Sequence, residues 1–69
     1  MEVGLHIKER RKTLKVSQGS LAEMAGVSKN TMYKIEKGLA NPTLGTLSKI
    51  ADILGMEVCL QIKNLETIE

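Results

Sequence analysis

Between Ser17 and Gly38 two short stretches stand almost back to back, SQGSLAEMAG and SKNTMYKIEKG, each opening on Ser and closing on Gly. A Ser ahead of a helix can accept a hydrogen bond from one of the first free backbone N–H groups, and a Gly behind it can turn the chain left-handed without a Cβ penalty. In the first stretch Leu21, Ala22, Met24 and Ala25 supply the apolar positions; in the second Met32, Ile35 and Leu39 recur at intervals of three and four. That spacing predicts helices over 18–25 and 29–37, with Lys29, Asn30, Tyr33 and Lys34 off the apolar stripe of the second. The few residues between them leave room only for a turn.

The same patterning extends to both sides. Val3, Ile7, Arg11 and Leu14 share one face of a helix over 3–14, whose other face carries Lys8, Arg10 and Lys12. Asn41-Pro42-Thr43 reads as a turn into a fourth helix over 43–54, with Leu44, Leu47, Ile50, Ala51 and Leu54 as its buried stripe and Gly55 as its stop. Met24, Met32 and Met56 are expected to fill the core. Beyond Gly55 the period drops to two: Val58, Leu60 and Ile62 alternate with Cys59, Gln61 and Lys63, the pattern of a strand over 57–63. With no repeat or linker, residues 1–69 are expected to form a single domain, all-α, with four helices and a short C-terminal strand.

A single core of 69 residues is near the lower limit of independent stability. One Cys permits neither an internal disulfide nor a Cys-based zinc site, so the missing stability is expected from a second chain. The strand leads the same way, because no other segment of a helical chain can pair with it. Two copies related by a two-fold axis, with the strands antiparallel and Val58, Leu60 and Ile62 over the helices, would make a homodimer. The alternative is dimerisation through the fourth helix.

Net charge is +2, but residues 1–49 carry nine Lys/Arg against four acids, and residues 50–69 one against four. A polyanionic partner therefore belongs on the N-terminal side. No Gly-rich phosphate loop and no Ser/His/Asp or Cys/His set is present, so an enzyme is not expected, nor a cofactor. His6 has no second ligand beside it and Cys59 no basic neighbour in sequence; neither receives a catalytic or metal-binding role. No apolar run is long enough for a membrane, and the N-terminus lacks the pattern of a secretory signal, so a cytoplasmic location is expected.

Two short helices joined by a Gly-containing turn form a helix-turn-helix, whose second helix projects into the major groove of duplex DNA. The segment SQGSLAEMAGVSKNTMYKIEKG, followed by NPTLGTLSKIADILG, resembles the Cro/cI-type (XRE) helix-turn-helix family, over about 50 of the 69 residues. The strand EVCLQIK directly after the fourth helix makes it similar to the HipB-like antitoxin-repressors within that family. The resemblance implies a base-reading set of Gln18, Lys29, Asn30, Tyr33 and Lys34, which agrees with the residues that helical periodicity leaves outside the core. It also implies a structural ion pair between Arg11 and Glu36.

Lys can donate to guanine, Asn can pair bidentately with adenine, and Tyr can meet a thymine methyl or a phosphate. Arg10, Lys12, Ser17, Ser28, Thr31, Lys37 and Asn41 are the expected phosphate contacts. The function implied is a repressor binding a palindromic operator as a homodimer, and an antitoxin with a cognate toxin as a further partner. A stand-alone regulator or a helix-turn-helix protein-interaction module is the alternative.

Overall fold

The computed structural model describes residues 3–59. Four helices follow one another: α1 (Val3–Thr13), α2 (Gln18–Ala25), α3 (Lys29–Lys37) and α4 (Leu44–Ile53). The last three open in one way. Ser17, Ser28 and Thr43 have extended backbones, and their side-chain oxygens accept from the N–H groups of Ser20, Thr31 and Thr46. Each such cap stabilises a helix by about 1 kcal/mol.

All four helices also close in one way. A residue past the helix turns left-handed, its N–H donates three residues back, and the next N–H donates five residues back: Lys15 to Lys12 with Val16 to Arg11, Gly26 to Glu23 with Val27 to Ala22, Gly38 to Ile35 with Leu39 to Lys34, and Gly55 to Asp52 with Met56 to Ala51. These are Schellman closures. Three place Gly at the left-handed position; the first places Lys15 there, at φ 60°.

That turn accounts for a difference from the sequence expectation. Helix α1 stops at Thr13 rather than Leu14, and Leu14, assigned by periodicity to the buried face, is 42% exposed as the chain swings away. Leu39 and Leu44 are likewise exposed, because Leu39 lies beyond the Gly38 stop and Leu44 is the first residue of α4, before that helix meets the core. Met24, expected inside, is on the outer side of α2.

Helix α2 packs on α3 and α4, and α1 packs on α3. The core they enclose is Ile7, Leu21, Ala22, Ala25, Met32, Ile35, Ile50 and Leu54, with Leu21, Met32, Ile50 and Leu54 fully buried. Burying each of those four large side chains contributes about 1.5–3 kcal/mol. Gly4 sets how closely α1 approaches α3. A Cβ there would sit 2.6 Å from the Glu36 carbonyl oxygen and would overlap that of Ile35.

The expected strand over 57–63 does not form within the described residues: Glu57, Val58 and Cys59 have no regular structure, and Leu60 and Ile62 lie outside them. Alternating apolar residues become a strand only when a neighbour supplies the ladder hydrogen bonds, and no described segment does so. Val58 is 38% exposed.

Candidate nucleic-acid interface

Helix α3 divides cleanly into two faces. Met32, Ile35 and Glu36 are buried, whereas Lys29, Asn30, Thr31, Tyr33, Lys34 and Lys37 are exposed. Spacings of three and four residues bring Lys29, Asn30, Tyr33, Lys34 and Lys37 onto one outward surface. The Lys37 ammonium lies 5.9 Å from the centre of the Tyr33 ring, a cation–π approach that braces both side chains along the helix.

The start of α2 comes up beside the start of α3. Gln18, Lys29, Asn30 and Tyr33 together line an open depression. A methyl group on Gly19 would lie 3.8 Å from Lys29 Cδ, so the aliphatic stem of Lys29 runs over the first turn of α2. At both helix starts the cap leaves N–H groups outward. Ser17 engages Ser20 and Leu21, and Ser28 engages Thr31 and Met32. The N–H groups of Gln18, Gly19, Lys29 and Asn30 precede the first intrahelical bonds, and each helix adds the positive end of its dipole, a combination suited to an anion.

The hydroxyls expected at phosphates have local partners. Ser28 Oγ accepts from the Thr31 N–H at 3.0 Å and donates to Thr31 Oγ1 at 2.9 Å, while Ser17 Oγ accepts from the Ser20 N–H. Lys12 and Asn41 are exposed, on α1 and on the loop between α3 and α4. Arg10 is half-buried and points back into the fold, where its Nε donates to the Leu54 carbonyl oxygen at 2.9 Å and caps the end of α4. Periodicity alone places Arg10 on the cationic side of α1 and has no means of showing that contact.

Under the interface, Arg11 and Glu36 form a buried ion pair. Arg11 Nε donates to Glu36 Oε2 at 2.8 Å and Nη2 donates to Oε1 at 3.1 Å, while Nη1 donates to the Val16 carbonyl oxygen at 2.9 Å. Removing one partner of such a pair strands a desolvated charge and costs about 3–5 kcal/mol. Gln18 Nε2 also donates to Glu36 Oε1, at 3.1 Å, a contact that the sequence pattern did not disclose. The pair thereby links α1, the loop after it, the start of α2 and the end of α3.

Comparison with known proteins gives a consistent picture. A family model described as helix-turn-helix matches residues 7–60. An immunity repressor protein of Bacillus phage phi105 is 43% identical over 58 residues, 84% of this chain and 40% of the phage protein. A longer protein of Methanocaldococcus jannaschii is 36% identical over 66 residues, 96% of this chain and 21% of its own length. The chain thus spans less than half of either relative.

Among solved structures, SinR in complex with DNA superimposes with a TM-score of 0.73 at 38% identity, over 80% of this chain and 89% of that one. The restriction-modification controller protein C.AhdI from Aeromonas hydrophila gives 0.77 at 28% identity, over 81% and 85%. With the matched region running from α1 past the end of α4, the chain belongs to the XRE-type helix-turn-helix family.

Proposed function

We propose that this chain is a sequence-specific DNA-binding transcriptional repressor that reads an operator with α3. The observation that carries the reading is the open depression lined by half-buried Gln18 and exposed Lys29, Asn30 and Tyr33, at the starts of two helices. Lys34 continues that surface, and Lys12, Lys37 and Asn41 flank it as phosphate contacts. The relatives support the reading: one is a repressor, and SinR is seen bound to DNA. The family is one of DNA-binding regulators, not enzymes.

The repressor acts as a homodimer on a palindrome. A mostly apolar depression lined by Val3, His6, Ile7, Leu47, Ala51 and Met56, and by Glu57, Val58 and Cys59, lies where the C-terminal segment leaves the core. Pairing of residues 57–63 across a two-fold axis would cover it and hold two α3 helices for successive half-sites. The narrower role of antitoxin is suggested by the sequence segment EVCLQIK alone and adds one requirement, a toxin that co-purifies with the chain.

Selection of bound sequences from random duplex DNA at physiological salt, with stoichiometry measured, tests the whole. Enrichment of a palindrome carrying two protomers is expected, with an operator preferred over random DNA by about a thousandfold or more. Weak, uniform, fully salt-sensitive binding would instead make the domain a protein-interaction module.

A further inference from the structure

The chain leaves α4 through the Gly55 turn and borders the depression between α1 and α4, where Glu57, Val58 and Cys59 form one wall. None of the backbone N–H or C=O groups of these three residues is hydrogen-bonded to another described backbone group. Among the described residues the Glu57 carboxylate has no cation within ion-pair reach and meets only the Cys59 thiol, 3.8 Å away. An open main-chain edge and an unmatched charge thus lie side by side, and the same segment of a second copy would answer both.

A segment that pairs with itself about a two-fold axis has few registers to choose from. The axis of an antiparallel pair passes between two copies of one residue, and residues directly opposite share a face, so the register is fixed by which residue faces itself. With Cys59 at the axis, Glu57 stands opposite Gln61; with Gln61 there, Glu57 stands opposite Leu65. Leu60 at the axis pairs Val58 with Ile62, Cys59 with Gln61 and Glu57 with Lys63. That register uses the whole of 57–63, and it is the one that brings opposite charges together at both ends.

We propose that two copies of this chain pair with Leu60 at the two-fold axis, so that Glu57 of each copy forms an ion pair with the partner's Lys63. This inference rests on the homodimer reading and adds its register. The second copy is the occupant that the sequence itself equips for this edge, because it carries the cation three residues beyond the axis at the distance that Glu57 precedes it.

The experiment measures the dimer dissociation constant by sedimentation for the full chain, Glu57→Lys, Lys63→Glu and the double variant. Each single reversal sets like charges opposite at both ends of the pair and is expected to raise the constant by about tenfold at low salt, less at high salt. The double variant should restore the wild-type value. Glu57→Lys combined with Lys49→Glu restores the net charge without the pair, since Lys49 lies on α4 beside Gly26, and should stay as weak as Glu57→Lys alone. Reversals without effect, a double variant as weak as the single ones, or recovery with Lys49→Glu would overturn the register and leave a homodimer built another way. A wild-type chain that is monomeric at the concentrations at which it occupies DNA would overturn the homodimer reading as well, and neither result touches the reading of DNA by α3.

Should the reversals disturb the fold, Cys59 gives a second measurement. In this register it faces the partner's Gln61, so Gln61→Cys is expected to form a covalent dimer on mild oxidation faster than the wild-type chain, and adding Cys59→Ser should abolish the gain. Equal rates, or a gain that survives Cys59→Ser, would overturn the register.

Discussion

Arg10 Nε lies 2.9 Å from the carbonyl oxygen of Leu54, so a cation on α1 closes the C-terminal end of α4. A charged donor is well placed there, where free carbonyls and the negative end of the helix dipole coincide. Arg10→Ala is expected to destabilise the fold by about 1–2 kcal/mol. Its intrinsic affinity for DNA should fall little once folding is allowed for. Thermal unfolding and binding measured on the same variant check both parts; a large, salt-dependent loss of DNA affinity at unchanged stability would return Arg10 to the phosphate contacts.

Gly4 allows α1 to rest against the last turn of α3. Because the atoms a Cβ would meet are backbone carbonyl oxygens, with no flexible side chain to yield, Gly4→Ala must push the helices apart. The helix gains about 1 kcal/mol in intrinsic propensity from the change, yet a net loss of roughly 1–3 kcal/mol is expected from the forced shift. Denaturant unfolding reads the sign directly. A stabilised Gly4→Ala variant would mean that α1 does not approach α3 as described.

Lys15 holds a left-handed conformation at the same point in its closure where Gly26, Gly38 and Gly55 stand in theirs. An L-residue with a Cβ is strained there by roughly 1–2 kcal/mol. Lys15→Gly relieves that strain but gives the unfolded chain more freedom, and a net gain of about 0.5–1 kcal/mol is expected. A midpoint raised by roughly 4–8 °C per kcal/mol would show it.

How much of the molecule is legible in its sequence divides by range. Helix starts at Ser17, Ser28 and Thr43 and stops at Gly26, Gly38 and Gly55 are encoded within a few residues, and the pattern places them to within about one residue. The outward face of α3 is equally legible, because burying Met32 and Ile35 at helical spacing leaves Lys29, Asn30, Tyr33 and Lys34 outside. The Arg10 cap spans 44 residues and the Gln18 tether 18, and neither has a local signature. Gly4 carries one usable hint, a glycine inside an otherwise helical stretch, which marks a close backbone approach. Residues 57–63 have the alternation of a strand, but such a pattern acquires its conformation only from a partner.

On DNA, Asn30 and Lys37 should part company. Asn30 borders the depression, and Asn30→Ala is expected to cost about 1–3 kcal/mol on the preferred operator and to relax selectivity at one base position. Lys37 is at the far end of α3, beside the Tyr33 ring. Lys37→Ala should weaken operator and random duplexes alike and lower the salt slope by about 1. Titrations at several salt concentrations separate the two; equal losses on both kinds of DNA for Asn30→Ala would remove it from the base-reading set.

The four helix closures are also a statement about time. Each is made by hydrogen bonds reaching back no more than five residues, so the signal for where a helix ends is written locally and needs no distant partner to define it. Docking is then what remains, and helical domains assembled largely from local contacts reach their folded state in microseconds to milliseconds. Synthesis adds only roughly 5–20 residues per second. Once the fourth closure is available, assembly of a core from contacts of this kind is fast beside the attachment of the next amino acid, and α3 takes its place as that core closes.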